Sequence, residues 1–211
     1  EPLMSDVHVV VLAAGKGTRM KSARAKVLHR VAGRPMIEYV LSAAAALRPR
    51  TTTVVVGHQA AQVQTSLAAH QSLTFVVQEP QLGTAHALLM TESALAEARG
   101  VIVLLSGDVP LLSAETLAAL VQTHVSANAA VTVVTAEVAD PTGYGRILRS
   151  GGELAAIVEH KDASPAQREI REINGGIYAF DADGLFNALR EIGADNAQGE
   201  YYLPDLVSIS R

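Results

Sequence analysis

Three of the four lysines in this 211-residue sequence, Lys16, Lys21 and Lys26, crowd into one short stretch, with Arg19 and Arg24 between them. Gly15 and Gly17 lead the stretch, straight after the apolar run 7–12. Glycines let a backbone approach an oxyanion closely, and successive amides there can form an anion-binding nest. A basic cluster alone reads as a solvated loop, but glycines at the end of a strand shift the reading to a polyanion site. Arg19 suits a bidentate clamp on phosphate and Lys26 a point charge. Two phosphate signatures do not fit. The Walker spacing is absent, and a dinucleotide fingerprint needs glycine where Met20 stands.

A second constellation is Ser106-Gly107-Asp108-Val109-Pro110, after the apolar run 101–105. An isolated Gly-Asp is usually a turn or helix cap. In the same sheet as a glycine-basic loop, Asp108 is a candidate ligand for a hard cation such as Mg²⁺, shared with phosphate oxygens. A third loop runs from Gln78 to Ala85. Gln78 has the amide to read a base edge, and Gly83-Thr84 opens a helix; by itself the segment reads as a surface loop. Further on, Tyr144, Gly145, Arg146, Glu159, Lys161, Asn174 and Glu200-Tyr201-Tyr202 mix donors and acceptors that suit a sugar, as well as ordinary loops.

Other chemistries drop out. With no cysteine, thiol catalysis, disulfides and thiolate metal sites are excluded. The seven histidines show no zinc-site spacing, and His29 and His86 read as structural or surface residues. No nucleophile elbow is present. What remains is phosphoryl or nucleotidyl transfer by alignment and charge.

The elements that must position these loops alternate. Strands are expected at 7–12, 52–56, 73–77, 101–105 and 130–138, and helices at 36–47, 60–70, 84–98 and 114–126, with Pro35 and Ser113 as start signals. Alternation of this kind predicts an α/β fold, a mostly parallel sheet with helices on both faces. Ligands then bind beyond the carboxyl ends of its strands. After Asp140 turn signals multiply. A polar stretch 161–172, a strand 176–180 and a helix 182–192 follow, so residues 138–180 are read as a small β-rich cap on the sugar side. Residues 1–6 are expected to be a tag remnant and tail, and 7–211 the catalytic domain.

A net charge of −4 argues against sequence-independent nucleic-acid binding. The apolar runs are strand-length, short of a membrane span, and the opening residues lack the pattern of a signal peptide. A soluble cytoplasmic protein is expected.

Leu12-Ala13-Ala14-Gly15-x-Gly17-Thr18-Arg19-Met20, followed by Lys26-Val27-Leu28, resembles the signature of sugar-1-phosphate nucleotidyltransferases. Five further stretches narrow the likeness: 81–84, 107–110, 140–146, 158–162 and 197–202. Together they resemble the uridyltransferase domain of bifunctional bacterial N-acetylglucosamine-1-phosphate uridyltransferase/glucosamine-1-phosphate acetyltransferases. The resemblance implies a Rossmann-like three-layer fold of the nucleotide-diphospho-sugar transferase type. It implies transfer of UMP from UTP to N-acetylglucosamine 1-phosphate, with Mg²⁺, for peptidoglycan and lipopolysaccharide precursors. By the same likeness Leu12, Ala13, Ala14, Gly15, Gln78, Gly83 and Thr84 hold uridine. Arg19, Lys26 and Asp108 are catalytic, Asp108 holding the metal beside Ser106 and Gly107. Gly145, Glu159, Asn174 and Tyr202 surround the sugar. It also implies a following acetyltransferase β-helix, absent from this chain, that makes the full protein a homotrimer, and an asparagine past Arg211 as second metal ligand. Three positions depart from the pattern. Ser106 stands for a tyrosine, Arg24-Ala25 for Leu-Pro, and Pro204 for a threonine. The alternatives are another sugar-1-phosphate nucleotidyltransferase and a non-catalytic nucleotide-sugar binding module.

Overall fold

The computed structural model describes residues 6–15, 17 and 20–209. The chain opens with β1 (Val7–Ala13), the short strands β2 (Arg30–Val31) and β3 (Arg34–Pro35), and α1 (Met36–Ala45). It continues through β4 (Thr51–Val56), α2 (Ala60–Ser66), β5 (Leu73–Val77), α3 (Thr84–Leu89), β6 (Val101–Ser106), α4 (Ala114–Ser126) and β7 (Val131–Glu137). Then come β8 (Arg146–Ser150), β9 (Glu153–Val158), α5 (Pro165–Arg168), β10 (Glu172–Asp181), α6 (Leu185–Glu191) and α7 (Leu206–Ile209).

The central sheet runs β5-β4-β1-β6-β10-β8-β9, with β7 also paired to β10. Strands β5, β4, β1 and β6 are parallel, as expected for buried β-branched runs joined by helices. The pairings of β10 with β6, β7 and β8 are antiparallel, as is the β8–β9 hairpin. Successive residues of each inner strand feed opposite faces. Val9, Val11, Val54 and Leu105 pack with Ile37 and Val40 of α1, Val63 of α2 and Leu117 of α4. Val10, Val55, Ile102 and Leu104 pack with Leu88 of α3, Leu185 and Leu189 of α6 and Leu206 of α7. Three layers result.

Several expected boundaries shift. The helix expected at 84–98 breaks after Leu89, because the buried Thr91 hydroxyl donates to Leu88 O (2.7 Å) and a 3-10 turn at Ser93–Leu95 follows. The helix expected at 60–70 ends at Ser66. Ser113 caps α4 as read, its hydroxyl accepting from Thr116 N–H. The polar stretch 161–172 hides α5, whose Ser164 and Gln167 form a capping box. Within 138–180, residues 146–158 form the hairpin, while β10 is a long strand of the main sheet. Its first part meets β8 and its second β6, with an irregularity between Asn174 and Tyr178. Glycine is needed there: a Cβ on Gly175 would sit 2.6 Å from Val134 O.

Phe180 is fully buried in β10 and stacks on Tyr178, ring centroids 5.6 Å apart. Phe180→Ala is expected to lower unfolding free energy by about 3–5 kcal/mol in urea titration. A loss below about 1 kcal/mol would show that β10 is not part of the core.

Candidate active site

The chain leaves β1 towards β4 on one side and returns to β6 on the other, so β1 and β6 flank the topological switch point. Leu12 lies in register with Ser106, and Gly107 N–H donates to Leu12 O (2.9 Å), tying the two following loops together. Beyond these strand ends lies a cavity of about 480 Å³. That volume suits a small-molecule site. Leu12, Ala13, Ala14 and Gly15 line one wall, Gln78, Gly83 and Thr84 another, and Lys26, Ser106 and Asp108 the floor.

Lys26 begins a 3-10 turn at the cavity edge, and its ammonium pairs with the Asp108 carboxylate. The preceding loop is held from α2. Gln62 accepts from Ala25 N–H (3.2 Å) and donates to Ala23 O (3.1 Å), which Gln59 also contacts. These bonds supply the anchoring that a proline at 25 would otherwise give through its ring, and Ala25 is buried. Gly17 has φ +57°, and a Cβ there would lie 2.9 Å from Lys26 Cβ.

The Gln78 loop is built rather than loose. Gln78 is buried, and its Nε2 donates to Gly83 O (2.9 Å) and lies 3.1 Å from His86 Nδ1. Both amide hydrogens are thereby engaged, and Oε1 is the atom left to face a ligand. Gln81 Nε2 donates to Gln78 O (3.0 Å). The loop is pinned by the C-terminal segment: Tyr201 N–H donates to Leu82 O (2.8 Å), Ala85 N–H to Tyr201 O (3.0 Å) and Leu203 N–H to Thr84 Oγ1 (3.1 Å).

Gly145, Glu159, Asn174 and Tyr202 do not line this cavity; they gather in a second cluster. A Cβ on Gly145 would lie 3.2 Å from Glu159 Oε1 and 3.5 Å from Asn174 Cβ. Asn174 donates to Tyr178 OH (2.6 Å) and accepts from Gly176 N–H (2.8 Å). Tyr202 OH accepts from Gln198 Nε2 (2.7 Å), and Lys161 Nζ donates to Gln198 Oε1 (2.8 Å). Burial pushes the Glu159 carboxyl above its ordinary range, helped by Asp162 and Asp205. Burial, then Asp162, raises Asp205 likewise. Burial also raises the Tyr202 hydroxyl.

Ten sequence-predicted residues therefore share the cavity, and Gly107 backs it, its Cα packed so that a Cβ would meet Val27 at 3.0 Å. Arg19 lies outside the described residues. Sequence reasoning passed over Val27, Gln81 and Ala87 as cavity walls and Asp205 as part of the acidic cluster, and Glu200, read among the groups that suit a sugar, lines the first cavity. Gln81 stands inside a quoted motif, yet nothing in its spacing marks it. His86, read as structural or surface, orients Gln78. Pro204 is buried in a 3-10 turn. Among the described residues no three His, Asp or Glu side chains cluster as a metal site. No helix among them is long and apolar enough to cross a membrane.

The MobA-like NTP transferase domain family matches residues 9–173. The bifunctional protein GlmU of Syntrophotalea carbinolica is 53% identical over 98% of this chain and 44% of its own length. That of Brevibacillus brevis is 53% identical over 99% of this chain and 45% of its own. The chain thus spans about half the length of the curated relatives it matches. Among solved structures, UDP-glucose pyrophosphorylase complexed with UDP-glucose superposes with a TM-score of 0.76 at 18% identity, covering 96% of this chain and 86% of that one. The α/β expectation, a mostly parallel sheet of the nucleotide-diphospho-sugar transferase type, agrees with that likeness.

Two outcomes are expected. Gly83 has φ +111°, and a Cβ would lie 2.6 Å from Tyr201 O, so Gly83→Ala must displace backbone. It should cost about 1–3 kcal/mol of stability; an unchanged denaturation midpoint would refute the pinning of this loop. For Glu159, folding favours the protonated carboxyl, so stability falls as pH rises from the ordinary carboxylate range through the raised value. Glu159→Gln should therefore melt higher than the parent at neutral pH. The gap should close on acidification, and equal melting temperatures at neutral pH would contradict it.

Proposed function

The chain belongs to the MobA-like NTP transferase domain family, and from that footing we propose that it transfers UMP from UTP to N-acetylglucosamine 1-phosphate, releasing pyrophosphate and forming UDP-N-acetylglucosamine. The observation that carries this reading is the Lys26–Asp108 pair on the floor of a cavity at the switch point. One member suits phosphate and the other a cation. The sequence motifs supply the identity of the nucleotide and sugar.

In this reading Leu12 to Gly15 wrap the nucleoside, and Gln78 Oε1 accepts from the base while Gly83 and Thr84 close over it. Ser106 and Gly107 leave room beside the phosphates, where a tyrosine at 106 would stand. Gly145, Glu159, Asn174 and Tyr202 hold the sugar, with residues 138–180 as its cap. An oxygen of the sugar phosphate is already ionised at neutral pH, so no protein nucleophile is needed. It attacks the α-phosphorus in line, forming one P–O bond as the bond to pyrophosphate breaks. Lys26, released from Asp108 by the incoming triphosphate, neutralises charge on the phosphates, and Arg19 is assigned the same task. The donor set fits Mg²⁺, which is held by one or two carboxylates with phosphate oxygens and water. Asp108 is such a carboxylate, and it already faces a cation. Bound there, Mg²⁺ would offset charge on the leaving pyrophosphate. We further propose a cytoplasmic protein whose full-length form is a homotrimer built through a following acetyltransferase domain, in keeping with relatives about twice as long.

The test is pyrophosphate release by the full-length protein, with UTP and N-acetylglucosamine 1-phosphate set against a panel of other nucleotides and sugar phosphates. Asp108→Ala should lower kcat by about a hundredfold or more while the fold, read by circular dichroism, is kept. Faster turnover of another pair would reassign the substrate. Binding of UDP-N-acetylglucosamine without turnover of any pair would leave a binding module.

A further inference from the structure

A second cavity, also about 480 Å³, lies between the 139–142 loop, the open end of the β8–β9 hairpin and the end of α5, and shares no lining residue with the first. Its walls carry Thr142, Arg146, His160, Arg168, Glu169 and Arg171. Three arginines thus face one carboxylate, an excess of positive charge in a protein whose net charge is −4.

Arg146 is the unusual member. It is 1% exposed, heads the residues that are large and fully buried, and pairs in register with Val158 and Ile173. Its Nη1 donates to Tyr144 O, and Nη2 donates to Arg168 O (3.2 Å) and approaches His160 Nδ1 (3.3 Å). Its Nε reaches no acceptor among the described residues. None of these partners is a carboxylate, and among the described residues no carboxylate lies within 4.0 Å of Arg146, Arg168 or Arg171. A guanidinium is always charged, and one removed from water needs a counter-charge. Asp140 is an exposed group whose Oδ1 accepts from Thr142 N–H (3.0 Å); hydrogen bonding from Thr142 chiefly, with Arg146 and His160 adding to it, holds its carboxyl below the ordinary range without a direct ion pair.

We propose that this cavity binds a phosphate-bearing anion at a site separate from the nucleotide cavity. Arg146 supplies buried charge, and Arg168, Arg171 and His160 supply donors from the wall. A phosphate fits better than a carboxylate. Three guanidinium groups outnumber Glu169 and the neighbouring Asp140, leaving a net positive cavity, and arginine forks suit the several oxygens of a phosphate.

The experiment is NMR of the full-length protein titrated with inorganic phosphate, reading the His160 ring signals, with acetate at equal ionic strength as control. A saturable His160 shift with phosphate and none with acetate is expected, and it should persist in Lys26→Ala, which disables the other cavity. In the double variant Arg168→Ala/Arg171→Ala the apparent affinity should fall by about tenfold or more. Both arginines are exposed, so the fold survives their loss, whereas removing Arg146 would disturb it. Phosphorylated sugar in a parallel titration tells a free anion from an esterified one by which binds tighter. The proposal is overturned if His160 does not move, if acetate moves it equally, or if the double variant binds phosphate as tightly as the parent.

Discussion

The pairing of β1 with β6 is the constraint from which the site follows, and a single hydrogen bond closes it. Both strands are buried on both faces, with Val9, Val10 and Val11 fully inaccessible beside Ile102, Val103 and Leu105. Polarity alone would therefore not punish a slip of one strand against the other, as it does where one face is wet. The register is set at the ligand end instead. Gly107 N–H reaches Leu12 O, in a place where a Cβ would stand 3.1 Å from that oxygen and 3.0 Å from Val27. Glycine at 107 permits the approach, and the approach puts Asp108 opposite the loop that carries Lys26.

An acidic protein proposed to take polyanions must manage its own charge. The switch-point cavity contains Asp108 and Glu200, and the neighbouring cluster adds Glu159, Asp162 and Asp205. Lys26 is matched to Asp108 and partly exposed, so their pairing is worth little and would yield readily to the proposed triphosphate. The acids of the neighbouring cluster have a different basis. Crowding and burial hold Glu159 and Asp205 in a state that costs stability, the usual mark of residues retained for a task other than folding.

How much of this was legible depended on whether a signal was local. The β-branched runs of β1, β4, β5 and β6 are legible because burial on both faces leaves unbroken apolar strings. The Ser113 cap is legible because a hydroxyl at a helix start has a fixed job. The break after Leu89 was not: Thr84 to Ala98 is a good helical string, and the Thr91 hydroxyl competes for Leu88 O only in a buried setting. The strand expected at 176–180 starts four residues late, at Gly176 and not Glu172, because the ladder partners of its first part, here β7 and β8, are invisible in a local window. The site shows the same division. Glycines and charges at strand ends announce Gly15, Lys26 and Asp108. Gln78 looked like a surface residue because its partners Gly83 and His86 become visible only once the loop is folded.

Adjacent residues on the β8–β9 ribbon serve different surroundings. Gly145 and Glu159 meet each other and Asn174, while Arg146 and His160 line the second cavity. Arg146 is the first residue of β8, and Glu159 and His160 follow the end of β9, where the chain turns. The backbone around Gly145 is held from both sides. Tyr144 O accepts from the Arg146 guanidinium, and Gly145 O accepts from Asn174 N–H at 2.9 Å.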